Sequence, residues 1–158
     1  MADTQKIKLA QKNFKALCAM LDDNKWKYEK DEEQLMINCG AKGDDMTINI
    51  RIKLNPDLEL ATLYSPMPFD VPESKRSIIA LAVARANYGM VDGSFDFKYT
   101  TGRILFRLTA SYASSILSKE AFEYMLFVSC HTVDEYNDKF LTVCKKDMTV
   151  AQLFDLIK

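Results

Sequence analysis

Glycine, proline and histidine are scarce in this 158-residue chain, which has five, four and one of them. So little glycine and proline excludes collagen-like and low-complexity architectures, and 48% hydrophobic with 27% charged residues is the composition of a globular domain. No apolar run approaches the roughly 20 residues that a membrane span needs. The opening segment MADTQKIKLAQKNFK is polar and amphipathic, without the apolar core of a secretory signal. A net charge of -1 supplies no global positive field to gather nucleic acid. Cys18, Cys39, Cys130 and Cys144 never form a CxxC pair. In a chain with no export signal they read as reduced and mostly buried, and the expected location is the cytoplasm. With one histidine and no paired cysteines, a zinc site would need distant residues to converge by chance.

What is present is strong periodicity. The length fits one domain, taken as residues 1–158, in which folding buries roughly 70% of the unfolded surface. Asp3 or Thr4 caps a first helix to about Asp22, whose apolar stripe is Ile7, Ala10, Phe14, Leu17, Cys18 and Leu21. Short strands follow. Trp26 and Tyr28 alternate with lysines, Asp31 to Glu33 make a turn, and Leu35, Ile37 and Cys39 alternate with Met36 and Asn38. A polar loop, Gly40 to Asp45, precedes the clearest strand, Met46 to Leu54. There Ile48, Ile50, Ile52 and Leu54 take one face and Thr47, Asn49, Arg51 and Lys53 the other, as in an antiparallel sheet with one wet face. Leu58 to Tyr64 reads as a fourth strand. Ser65 to Pro72 holds three of the four prolines and reads as a stiff loop crossing from sheet to helix, because proline blocks ladder pairing.

A second helix is expected from about Glu73 to Tyr88, buried through Ile78, Ile79, Ala82, Val83 and Ala86. Asn87 and Gly89 close it. Then comes a hairpin. Phe95, Phe97 and Tyr99 alternate with polar residues, Thr100 to Gly102 turn the chain, and Ile104, Phe106 and Leu108 alternate again. Asp96 and Arg107 are placed to pair across it. Ser118 caps a third helix to about Lys146, and Thr149 to Gln152 is a capping box for a short last helix with Leu153, Phe154 and Ile157 on its apolar side. The order is α-β-β-β-(β)-α-β-β-α-α. Strands arriving in antiparallel runs give an α+β fold, with helices packed on one face of an antiparallel sheet.

Arg76 on the second helix, Ala86-Asn87 at its end, Gly93-Ser94-Phe95, the run Gly102 to Arg107, and Leu117-Ser118 occur in an order that resembles the YbjN family, bacterial proteins labelled sensory transduction regulators. The resemblance covers most of the chain and is most specific from Arg76 to Ser118. It implies the fold of type III secretion chaperones, small, acidic, often dimeric proteins with an α-β-β-β-α-β-β-α order. The Leu58–Tyr64 strand and the last helix depart from that order. The family carries no established catalytic residues, so the resemblance implies no site.

Direct inspection adds no reaction. There is no GxGxxG and no P-loop sequence, and Gly89 to Gly93 has GxxxG spacing only at a helix end. His131 lacks a nucleophile: Cys130 is about 100° away around the helix, and Asp134 could orient the imidazole but not react. The Gly40–Asp45 loop lacks the alternating acids of a calcium site and reads as a solvated turn. Asp92 and Asp96 flank Gly93 without a reason to converge. Lys25 and Lys27 fall on the opposite side of their strand from Trp26 and Tyr28, and Asp31 to Glu33 cancel the field of these lysines and of Lys30, so this reads as a solvated face rather than a nucleic-acid platform.

The third helix carries the functional signal. Phe122, Met125, Ser129, Thr132, Val133, Tyr136, Phe140 and Val143 form one stripe, and Tyr124, Phe127, Val128 and His131 a second, about half a turn away. A helix apolar on two faces is either sandwiched or used by a partner. The last helix could cover the second stripe through Leu153, Phe154 and Ile157. Otherwise Tyr124, Phe127, Val128 and His131 are a partner interface. The expected function is a non-enzymatic protein-interaction module, chaperone-like or regulatory and homodimeric, with a protein partner of unknown identity. No cofactor, nucleic acid or membrane is involved. The alternative is a small-molecule-binding domain or an enzyme using a pocket between sheet and helices near the Pro-rich segment, gated by Met67 and Phe69.

Overall fold

The computed structural model describes residues 3–158. Six strands form one sheet in the order β1-β2-β3-β4-β6-β5, with every neighbouring pair antiparallel. The strands are β1 (Tyr28–Asp31), β2 (Met36–Lys42), β3 (Thr47–Asn55), β4 (Leu60–Asp70), β5 (Ser94–Lys98) and β6 (Arg103–Ser111). The helices are α1 (Thr4–Asp23), α2 (Arg76–Tyr88), α3 (Lys119–Lys145) and α4 (Val150–Leu156). Helices α1 and α3 pack on one face of the sheet, α2 lies against β5 and α3, and α4 sits on α2. The α+β architecture, the element order and the fourth strand are as the sequence implies.

Alternation places the core. Ile48, Ile50, Ile52 and Leu54 of β3, Ala61 and Leu63 of β4 and Ile104, Phe106 and Leu108 of β6 are buried on the helix side. Their intervening neighbours face outward, so the other face of the sheet carries no helix. Phe95 fixes the aromatic centre, edge-on to Phe106, Tyr136 and Phe140 with ring centroids 5.0–5.4 Å apart. Asn13 is the polar clamp. It is fully buried on α1, donates to the carbonyls of Leu9 (3.1 Å) and Ser115 (2.9 Å), and accepts from the Leu117 amide (2.8 Å). It thereby anchors the loop that launches α3.

Several residues that carried the family resemblance hold the hairpin and its surroundings in place. Arg76 donates to the Thr100 carbonyl at 3.0 Å, and the Val71 amide donates to the Gly102 carbonyl at 2.9 Å. Gly102 has φ +79°, and a Cβ there would collide with the Val71 carbonyl, so the hairpin turn demands glycine on both counts. Arg107 pairs bidentately with Asp96 at 2.7 and 3.1 Å, as the sequence spacing suggested.

Several boundaries differ from the sequence reading. Leu35 belongs to a turn with φ 49° rather than to β2, and β2 runs on to Lys42, into the expected Gly40–Asp45 loop. Helix α2 starts at Arg76 behind a 3-10 turn, Glu73–Lys75. Of the four cysteines only Cys144 is buried, the others being half-buried. Ile7 of the expected α1 stripe is exposed.

The largest correction concerns the prolines. Ser65 to Asp70 is not a loop but the second half of β4, paired with β6 through Ser65–Phe106 and Pro66–Leu105 and then bulged before Asp70 meets Arg103. Pairing of β4 with β3 stops at Tyr64–Arg51, two residues before Pro66. Proline has no N–H to donate, so it ends a ladder on one side while the strand continues on the other. The result is a split inside the sheet: Thr47–Ile50 of β3 pairs only with β2, and 65–70 of β4 only with β6.

Candidate partner-binding surface

Helix α3 begins at Ser118, whose hydroxyl caps the Ala121 amide at 3.1 Å. Its buried positions include Phe122, Met125, Leu126, Ser129, Val133, Tyr136, Phe140 and Val143, close to the stripe expected, although Thr132 is only half-buried. At about 100° per residue, Tyr124, Phe127, Val128 and His131 fall within an arc of roughly 100° on the opposite side. Phe127 is 80% exposed, Tyr124 53%, His131 is exposed and Val128 half-buried. Val128 packs partly against the core. Helix α4 packs on α2, through the buried Leu153 and Ile157, with Phe154 under the Arg85 guanidinium at 5.6 Å.

The four residues divide between two neighbourhoods. Tyr124 and Val128 line a cavity of about 460 Å³ together with Tyr88 at the end of α2, Val91 and Asp92 beyond it, and Tyr136. The Tyr124 hydroxyl donates to the Asp92 carboxylate, and this bond pushes the phenol pKa up, with desolvation and the aspartate charge adding to it. Arg85 holds the Ile157 carbonyl at 3.1 Å at the far end of the cavity. Phe127 and His131 lie a step around the helix, on the side of Asp134. That carboxylate accepts from the Asp44 amide at 2.9 Å and so tethers the β2–β3 turn.

Tyr88 and Val91 were missed in the sequence. They are 88% and 97% exposed, and with Tyr124 and Phe127 they enlarge the apolar surface. The signal was present: Ile79, Ala82, Val83 and Ala86 define the buried face of α2, and Tyr88 lies off it.

The remaining candidates from the sequence disperse. Asp92 engages Tyr124 while Asp96 engages Arg107, so the two carboxylates do not converge. Burial, with the Asp134 charge, pushes the Cys130 thiol up to about 11, and burial pushes Cys39 up to about 12. Both are therefore thiols rather than nucleophilic thiolates near neutrality. Tyr28 donates to Asp22 at 2.9 Å and Lys30 pairs with Glu32 at 2.6 Å, while Trp26 packs on the core. Among the described residues no group of three or more His, Cys, Asp or Glu could hold a metal ion, and no helix is long and apolar enough to cross a membrane.

A second concavity occupies the split between β3 and β4, with a volume of about 830 Å³. Met67 and Phe69 do line it, as envisaged for a pocket beside the Pro-rich segment. It differs in position: Asn38, Arg51, Lys53, Tyr64, Pro66 and Leu105 place it on the helix-free face of the sheet, not between sheet and helices.

The YbjN family model, described as "Putative bacterial sensory transduction regulator", matches residues 13–142, which include the whole α3 stripe. No curated protein matches the chain. Among solved structures, YbjN from E. coli, described as "a putative transcription regulator", superposes with a TM-score of 0.59 at 12% identity, covering 79% of this chain and 91% of that one. A chain of the ExsC–ExsE complex gives a TM-score of 0.51 at 16% identity, covering 87% of this chain and 96% of that one. A chain of the HopA1–SchA chaperone–effector complex gives 0.55 at 10% identity, covering 87% and 99%. At these identities the likeness is one of fold, and it bears out the chaperone-like α+β fold expected from the sequence.

Proposed function

The chain belongs to the YbjN family, and from that membership we propose that it is a non-enzymatic protein-interaction module of chaperone-like or regulatory type, acting as a single domain in the bacterial cytoplasm. The observation that carries this reading is the second face of α3. Tyr124, sharing a cavity with Tyr88 and Val91, and Phe127, three residues further along α3, present large side chains to solvent. Contiguous exposed apolar residues mark interaction sites in soluble proteins. Aromatic side chains are enriched at such interfaces because each removes a large area from water. The fold likeness to chains crystallised as an ExsC–ExsE complex and as a chaperone–effector complex supports a protein partner in the same sense.

The first occupant of this face is a second copy of the chain, giving a homodimer through Tyr124, Phe127, Val128 and His131. Sedimentation velocity tests it. Wild type should sediment as a dimer at micromolar concentration, and Phe127→Asp as a folded monomer. A wild type that is already monomeric across that range removes the dimer from the proposal. An unchanged dimer in the variant moves the interface elsewhere.

A further inference from the structure

The cleft on the helix-free face of the sheet is built differently from the α3 surface. Three cations, Arg51, Lys53 and Arg103, line it, against one carboxylate, Asp70. The ion pairs among the described residues leave those three cations out, whereas Arg107 nearby is spent on Asp96. Arg51 donates its Nε to Asn38 Oδ1 at 3.0 Å, which fixes the guanidinium and leaves its other N–H groups to point elsewhere. This concentration of positive charge sits on a chain whose net charge is -1. Between the cations the floor is apolar, with Tyr64, Pro66 and Leu105.

The backbone supplies the second element. At Thr47–Ile50 the β3 strand is paired with β2 on one side and with no strand on the side of the cleft. An unpaired strand edge offers a row of N–H and C=O groups at a fixed repeat, which another polypeptide in extended form can satisfy. A small anion or a nucleotide would meet the cations but not that row. The opposite wall is blunted by Pro66 and Pro68, so a strand entering the cleft would pair with β3 alone.

We propose that this cleft binds an extended, acidic segment of a partner polypeptide, paired with the free edge of β3 and held by Arg51, Lys53 and Arg103. Acidic side chains at alternate positions of that strand would meet the cations on the helix-free face, beside Tyr64 and Leu105, and the apolar ones between them would point to the opposite face of the sheet. This rests on the reading of the protein as an interaction module but assigns a surface and a ligand chemistry separate from α3.

The test is fluorescence polarisation with a fluorescein-labelled peptide of alternating glutamate and valine, added to the full chain. Wild type should bind it, more weakly as salt rises. Arg51→Glu combined with Arg103→Glu should weaken binding by about tenfold or more, since charge reversal turns attraction into repulsion. Both arginines are exposed, so the variant should keep the wild-type circular dichroism. The same peptide N-methylated at alternate backbone positions should bind at least about tenfold less well, because methylation removes the donors a strand needs. No binding by wild type, no effect of the reversal, or equal binding of the methylated peptide, a single-stranded oligonucleotide or polyphosphate would overturn the proposal. Phe127→Asp should bind the peptide like wild type, so failure here and failure of the α3 interface are separately visible.

Discussion

Asn87 and Phe95 form a closed pair: the Asn87 Nδ2 donates to the Phe95 carbonyl at 2.9 Å, and the Phe95 amide donates to Asn87 Oδ1 at 2.8 Å. A side-chain amide here replaces a strand at the outer edge of β5. It also ties the end of α2 to the residue whose ring centres the aromatic core. Asn87→Ala removes both bonds and leaves the two backbone groups of a buried residue unsatisfied, which should cost about 2–4 kcal/mol. Urea denaturation should show a lower midpoint with an unchanged slope. A loss below about 0.5 kcal/mol would mean that water replaces the amide without penalty.

The two faces of α3 should respond oppositely to the same change. Phe122→Ala opens a cavity in the core, where Phe122 is 1% exposed, and should cost about 3–5 kcal/mol. Phe127→Ala removes a ring that touches water over most of its surface and should stay within about 0.5 kcal/mol in the monomer. Thermal unfolding of both variants at a protein concentration low enough to favour monomer makes the comparison. If Phe127→Ala destabilises the monomer as Phe122→Ala does, the second face is part of the core.

What could be read in advance follows from which signals are local. The alternation of Ile48 to Leu54, the Ser118 and Thr149 caps and the Gly102 turn each act within a few residues, and each appears where the sequence puts it. The second stripe of α3 was legible for the same reason, as a period on one helix. Its extension to Tyr88 and Val91 was not, because that depends on how α2 and α3 are set beside each other. The cleft was hidden more deeply. Pro66 and Pro68 were read as ladder-blocking, which is true on one side of β4. Only the tertiary pairing shows that β6 occupies the other side.

Stability should fall at alkaline pH for a defined reason. Burial raises the Cys39 pKa from 9.0 to about 12 and that of Cys130 to about 11, and Tyr112 is raised to about 12 by burial with the Glu59 charge adding to it. In the unfolded chain the thiols lose their protons near pH 9, while the folded chain keeps them. Between these values the unfolded state binds fewer protons, so the stability these groups contribute is complete below about pH 9 and is lost as pH rises through about 11–12. Urea midpoints measured from pH 7 to 11 should be flat at first and then decline. Cys39→Ala with Cys130→Ala should decline less steeply over pH 9 to 11. An equally steep decline in that variant would place the effect on other groups.

If prolines hold the sheet open, replacing them should let it close. Pro66→Thr with Pro68→Thr restores two backbone donors at alternate positions, hence on the same side of β4, and supplies residues that favour strands. The β3–β4 ladder could then continue past Tyr64–Arg51 toward Ile50. Native-state hydrogen exchange reads this directly: amides within Thr47–Ile50 or 65–69 that exchange freely in wild type should gain protection in the variant. Folding should change little overall, because the new pairing offsets the greater freedom of the unfolded chain, about 0.4–1 kcal/mol per lost proline. The same variant should lose the acidic peptide, since the edge that pairs with it is then occupied by β4. An exchange pattern identical to wild type would show that the bulge before Asp70, rather than the missing donors, sets the split, and would leave the peptide free to bind.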